Sequence, residues 1–256
     1  MNEPESCCAI CTKSCVKELL GMLLSLAHHH PNMPIYIMAD TYTKSYIEME
    51  IPNVELKIKW IITLDKYSGK NRQQMERENI FREFLYNKAN VISLALEDYN
   101  DTILLDCDLF ILGKINNIDK TKELGVSPHY MEQGRINLYG YYNSGFLWTK
   151  NKDVPKRWIE HTKTSRFFEQ ASVEDIAREF SHFNFPKNYN FGQWRFHLDN
   201  KYVNIKDNKL MFENDELKVI HIHFHKYVPF RNLIINNLRL LNRNKEITFI
   251  NRIINK

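Results

Sequence analysis

The sequence predicts an α/β protein: a single domain built on a mostly parallel, twisted sheet with flanking helices. Three observations point there. Short apolar runs alternate with stretches whose apolar residues recur at helical spacing, as when parallel strands are joined by crossover helices. The most apolar run begins at Thr102 directly after a long helical stretch and contains two carboxylates, where open α/β sheets gather their ligands. The 256 residues, 43% hydrophobic and 12% aromatic with only 8 Gly, suffice for one packed core and are short for two independent ones.

Cys7 to Thr12 reads as a short buried strand. Ser14 is placed to cap a helix in which Val16, Leu19, Leu20, Leu23, Leu24 and Ala27 recur at helical spacing, and Pro31 and Pro34 bound its end. His28 to His30 read as polar residues closing that helix. Pro34 to Met38 is the second strand and Leu56 to Ile62 the third. A charged, turn-rich stretch from Asp65 to Arg77 leads into helical sequence to about Asp98, and Thr102 to Leu112 follows as a strong strand. In the second half, Tyr139 to Thr149 reads as a strand, Val173 to Phe180 as a short helix and Lys218 to His225 as another strand. Residues 1–230 are expected to form the domain and 231–256 a basic helical tail packed on it. In that tail Leu233, Leu238, Leu241, Phe249 and Ile253 sit among Arg, Lys and Asn, a pattern that also suits peripheral contact with a membrane face.

The net charge of +4 is mild and concentrated in the tail from Arg231 to Lys256, so no nucleic-acid partner is expected. No run approaches the roughly 18 to 20 apolar residues of a membrane span, and Met1 to Ser6 lack the order of a secretion signal, so a cytoplasmic location is expected. Four of the five cysteines crowd into Cys7, Cys8, Cys11 and Cys15, which suits a reducing compartment. No second Cys/His pair of finger type follows them, so buried free thiols are favoured over structural zinc.

In Asp106-Cys107-Asp108 two acids flank one residue in a segment otherwise too hydrophobic to tolerate charge. Strand alternation would turn Asp106 and Asp108 to one side and Cys107 to the other, letting the acids share a hard cation such as Mg²⁺ or Mn²⁺. An acid pair capping a turn is the plainer alternative. In His221-Ile222-His223-Phe224-His225 the same alternation would place three imidazoles on one face, able to complete a metal site or simply to line a strand. Lys226 beside them could balance a phosphate.

The ordered set of these features resembles a family. Strand, helix and strand precede an Asp-x-Asp ending an apolar strand. Then come Tyr142-Asn143-Ser144-Gly145-Phe146-Leu147, Pro186-Lys187-Asn188-Tyr189-Asn190, and Val219-Ile220-His221 with a lysine shortly after. Together they are similar, over most of residues 7 to 228, to the GT-A (Rossmann-like) glycosyltransferases, nearest the retaining group that includes glycogenin and the bacterial galactosyltransferases. The resemblance implies an enzyme moving a sugar from a nucleotide-diphosphate donor, by preference a UDP-sugar, to a carbohydrate or glycoconjugate acceptor, with Mn²⁺ or Mg²⁺. It makes Asp106, Asp108 and His221 metal ligands, with His223 as the fallback, and Lys226 a diphosphate contact. Lys88 matches a basic donor-binding position, Asp40 falls near the nucleoside, and Asn143, Ser144 and Gly145 resemble the turn facing the donor sugar. Glu174-Asp175-Ile176 resembles the family's Asp-Gln-Asp helix start beside the reacting carbon, with Val173 and Glu174 departing from it, which makes Glu174 and Asp175 the candidate catalytic acids.

Two other readings fit the Asp-x-Asp. A phosphatase of the haloacid dehalogenase type carries one after a strand, but near the chain start, and a sugar-nucleotide or glycan-binding module could keep the fold without the chemistry. Tyr139, Tyr141, Tyr142, Trp148 and Trp194 could line an acceptor groove or belong to the core.

Overall fold

Cys7 and Cys8 lie inside a seven-stranded sheet, in a strand whose six residues are all buried. A strand covered on both faces is mostly apolar, and Ser-Cys-Cys-Ala-Ile-Cys supplies side chains that are small except for Ile10. Burial pushes the Cys7 thiol up, with Cys8 adding to it, and raises Cys8 to about 12, so both are unreactive filling. The computed structural model describes residues 2–52, 56–192, 194–195, 203–222 and 228–254.

In chain order the elements are β1 (Ser6–Cys11), α1 (Val16–His29), β2 (Pro34–Ala39), α2 (Thr41–Glu50), β3 (Lys57–Ile62), α3 (Arg72–Arg77), α4 (Phe81–Asp98), β4 (Thr102–Leu105), β5 (Leu109–Ile111) and β6 (Leu124–Pro128). They continue with α5 (Gln133–Tyr139), β7 (Tyr142–Thr149), α6 (Asp153–Thr164), α7 (Phe168–Ala171), α8 (Val173–Glu179) and β8 (His182–Asn184). The last are β9 (Val203–Lys206), β10 (Lys209–Phe212), β11 (Asp215–Glu216), β12 (Val219–His221), α9 (Val228–Leu240) and α10 (Asn244–Ile254). They pack as two compact units: Met1–Val16, Asn32–Cys107 and Ile115–Phe185 in one, and Lys17–Pro31, Asp108–Lys114 and Pro186–Lys256 in the other.

The first unit holds the large sheet, ordered β3-β2-β1-β4-β7-β6-β8. β3, β2, β1 and β4 run parallel, β7 is antiparallel to both β4 and β6, and β8 is parallel to β6. This is the mostly parallel α/β sheet the sequence predicts. β3 forms one edge, and its Lys57 and Lys59 alternate with less exposed residues, which protects that edge from pairing further. α4 lays Leu85, Ala89, Ile92 and Leu96 onto the sheet at i, i+4, i+7 spacing.

The run expected as one strand, Thr102 to Leu112, is in fact two. β4 ends at Leu105, Cys107 and Asp108 form a turn, and β5 pairs antiparallel with β12 instead of joining the large sheet. Strand alternation therefore does not relate Asp106 to Asp108. The backbone leaves the sheet where the charges occur, because a strand buried on both faces cannot carry two carboxylates inward. Ser14 does not cap α1: its hydroxyl donates to the Lys70 carbonyl, and a short 3-10 turn at Lys13–Cys15 precedes the helix.

The second unit contains the β5–β12 pair, the β9–β10–β11 meander and a core of Phe110, Phe191, Phe212, Phe230, Ile234, Leu238, Ile250 and Ile253. α9 and α10 supply the last five of these. Ile253 packs so closely on α1 that a Cβ at Gly21 would stand 2.2 Å from its Cδ1. No helix among the described residues is long and apolar enough to cross a membrane.

Candidate active site

At the end of β4, Asp106 meets a buried lysine. Lys88, on the sheet-facing side of α4, is 6% exposed. Its Nζ lies 2.9 Å from Asp106 Oδ1 and 3.0 Å from Oδ2, and donates to Glu169 Oε1 at 3.1 Å. Burial alone would push this ammonium down, but the Asp106 and Glu169 carboxylates more than reverse that and hold its pKa above the ordinary lysine value. Ser144 joins the cluster by donating its hydroxyl to Glu169 Oε1 at 2.9 Å.

β7 brings Asn143, Ser144 and Gly145 beside Asp106 because β4 and β7 are paired: Asp106 N–H donates to the Gly145 carbonyl at 2.8 Å, extending the ladder by one residue. The Asn143 side-chain oxygen accepts from Gly145 N–H at 2.7 Å. Gly145 has no room for a side chain, since a Cβ there would lie 2.3 Å from Asp106 Oδ2 and 2.7 Å from Cγ. The group that lies against this glycine is the Asp106 carboxylate.

In the second unit, β12 carries His221, 4% exposed, opposite Leu109 of β5. His221 Nδ1 lies 3.8 Å from Asp108 Oδ1, and Nε2 is 2.7 Å from Asn190 Oδ1. With that oxygen accepting, Nε2 is the donor of this bond. A separation of 3.8 Å is too long for a hydrogen bond. It lies between the about 3 Å that separates neighbouring ligands and the about 4 Å that separates opposed ones around a small divalent cation with bonds of about 2.1 Å. Asn190 orients the imidazole through this bond. Trp194 closes on the same imidazole edge to face, with ring centres 4.5 Å apart.

Other expected site residues are placed differently. Asp40 is fully buried and caps α2: Oδ1 accepts from Thr43 N–H at 2.7 Å and Oδ2 from Lys13 N–H at 2.9 Å. It organises the loops after β1 and β2, and burial, which would raise its pKa, is outweighed by these hydrogen bonds and one from Ser68. Glu174 accepts from Tyr141 N–H at 2.7 Å and from Arg166 at 2.9 Å. Partial burial would raise it, yet Arg166 and the Tyr141 amide hold its pKa below the ordinary glutamate value, the opposite of what a general base needs. Asp175 pairs with Arg178 at 2.8 Å on the outer face of α8. The acid that reaches the Lys88–Asp106 cluster is Glu169. Trp148 is core, donating its Nε1–H to Asp101 at 3.0 Å. His223, His225 and Lys226 lie outside the described residues.

No family model and no curated protein sequence matches the chain. Among solved structures it is similar to the galactosyltransferase LgtC in complex with donor and acceptor sugar analogues, at 12% identity and a TM-score of 0.62 over 93% of this chain and 95% of that one. The glycosyltransferase GlyE of Streptococcus pneumoniae TIGR4 is 13% identical with a TM-score of 0.54 over 93% of this chain and 63% of its own. Mouse xyloside xylosyltransferase 1 in its apo form is 12% identical with a TM-score of 0.51 over 87% of this chain and 98% of its own. The chain has the GT-A fold of these glycosyltransferases.

Proposed function

We propose that the chain is a glycosyltransferase of the retaining group that includes glycogenin and the bacterial galactosyltransferases. It takes a sugar from a nucleotide-diphosphate donor, by preference a uridine nucleotide, and passes it to a hydroxyl of a carbohydrate acceptor. The observation that carries the reading is the Asp108–His221 pair, its imidazole oriented by Asn190 in a manner suited to a divalent ion. The fold likeness to LgtC, whose structure holds donor and acceptor sugar analogues, supports it.

Asp106, Asp108 and His221 are the proposed ligands of Mn²⁺ or Mg²⁺, with His223 as the fallback and Lys226 as a contact to the donor diphosphate. The chemistry supplied by such an ion is compensation of the negative charge that grows on the departing diphosphate. In the reaction, the bond from the anomeric carbon to the diphosphate oxygen breaks and a bond from the acceptor oxygen to that carbon forms. The acceptor proton passes to the leaving phosphate. Lys88 holds Asp106 and Glu169 in one orientation. Glu169 is proposed to face the donor sugar in place of Glu174, and Ser144 fixes its carboxylate. Asp40 is proposed to shape the nucleoside pocket through the backbone it holds and not by touching the base.

The test is nucleotide release from a panel of UDP- and GDP-sugars, with Mn²⁺ and with chelator, beside an Asp106→Ala, Asp108→Ala double variant. Metal-dependent release from one donor, lost in the variant, supports the reading and identifies the sugar. Absence of release and of metal-dependent nucleotide binding with every donor sinks it. A base-labile phosphate on Asp106 would point to the phosphatase alternative instead.

A further inference from the structure

Arg72 is ringed by aromatic side chains: its guanidinium carbon lies 5.1 Å from the ring centre of Phe81, 5.4 Å from Phe167 and 5.3 Å from Phe168. Phe81 and Phe168 meet edge to face at 5.1 Å. Together with Glu76, Asn79 and Arg82 they line a cavity of about 520 Å³, within the roughly 300–1,000 Å³ common for small-molecule sites. Arg72 is scaffold, held by the rings and by its Nε bond to Glu76 at 2.7 Å. Arg82 is exposed and anchored through one nitrogen, which donates to the Lys163 carbonyl at 3.0 Å.

Two features tie this cavity to the cluster around Asp106. Phe168 lines the cavity while the next residue, Glu169, bonds Lys88 and Ser144. Phe168 has a left-handed backbone, φ 43°, which bulky residues rarely adopt, at this junction. Along α4, Phe81 precedes Lys88 by seven residues; two helical turns separate them by about 10 Å on one helix face. A ligand in the cavity therefore lies within a short oligosaccharide's reach of Lys88.

We propose that this cavity binds the acceptor saccharide. A pyranose is apolar on its C–H face and polar around its rim. The parts of Phe81 and Phe168 that line the cavity, beside the faces covered by Arg72, suit the former, and the carboxylate of Glu76, carboxamide of Asn79 and guanidinium of Arg82 suit the hydroxyls. The role as acceptor rests on the glycosyltransferase reading, whereas saccharide binding at this place does not.

The experiment is saturation-transfer difference NMR on the full chain, with methyl glycosides of galactose, glucose and xylose and the disaccharides lactose and maltose as probes. Arg82→Ala and Asn79→Gly are run beside the wild type. Asn79 has φ 58°, which glycine keeps without strain, and Arg82 is exposed, so both variants should fold. At least one saccharide should receive saturation from the wild type, with each variant weakening its binding tenfold or more. No saccharide bound by the wild type, or unchanged binding in both variants, overturns the proposal. Sugar-nucleotide hydrolysis measured in parallel keeps the two readings apart. Hydrolysis without saccharide binding defeats the subsite alone. Variant-sensitive saccharide binding without any hydrolysis supports the subsite and defeats the transferase reading.

Discussion

The Asp106 carboxylate rests against the backbone of Gly145, so closely that a Cβ at that glycine would stand 2.3 Å from Oδ2. Gly145→Ala should therefore push Asp106 away from Lys88 and disturb any ion it holds. Metal-dependent nucleotide release is expected to fall at least 100-fold. The melting temperature should drop only by the equivalent of about 1–3 kcal/mol, the usual cost of overpacking. Unchanged release in the alanine variant would show that the position of Asp106 is immaterial.

Lys88 is the buried cation that pairs with both Glu169, 11% exposed, and the more open Asp106, 29% exposed. Its pKa is held above the ordinary lysine value, so its contribution is fully present below the unfolded value of about 10.4 and is lost only as pH climbs through the folded one. Lys88→Met should destabilise the protein by about 3 kcal/mol at neutral pH, because it leaves two carboxylates uncompensated. Urea denaturation at neutral pH measures the loss, and an unchanged midpoint would show that the two carboxylates do not need Lys88.

Asn190 holds the proton-bearing nitrogen of His221 at 2.7 Å. Removing such an outer partner usually lowers metal affinity by roughly 10–100-fold. Asn190→Ala should therefore weaken Mn²⁺ binding by that factor, read from the free-ion signal in electron paramagnetic resonance. Equal affinity in the variant would count against His221 as a ligand.

Glu169 and Glu174 have different partners: Lys88 and Ser144 for the first, Arg166 and the Tyr141 amide for the second. Glu169→Gln should cut the turnover of nucleotide release at least 30-fold. Glu174→Gln should change it less than threefold per folded molecule while lowering stability. The reverse ranking would restore Glu174 as the working acid.

His29 is pushed down to about 4, by burial first and then by Arg243 and His28, with Glu246 opposing. The unfolded chain takes up this proton near 6.5 and the folded one does not until about 4. Stability should thus fall as pH drops through that window, by on the order of 3 kcal/mol. In His29→Asn the acid limb of the stability profile should be correspondingly flatter between pH 6.5 and 4.

Several elements were legible from local pattern alone. β1, α1, β2, β3 and α4 each carry one clear period or a mostly apolar run, and β7 carries the apolar stretch Phe146-Leu147-Trp148, so their residues identify them before any partner is known. α2 was not legible, since it buries only Thr43 and Ile47. β6 was missed because Leu124-Gly125-Val126-Ser127-Pro128 is short and contains two strand-breaking residues. The break between β4 and β5 was hidden because both halves are equally apolar. Only their different partners, β7 and β12, distinguish them.

The order of residues by itself determined the α/β alternation, the position of Lys88 on α4 and the presence of carboxylates where β4 ends, because periodicity and charge in an apolar run are local properties. Tertiary structure alone decided which acid meets which partner. Lys88 and Glu169 are 81 positions apart, and His221 and Asn190 are 31 apart. No local pattern encodes such meetings. They follow from strand order and from the need of each buried charge or imidazole for a partner, which only the packed chain can supply.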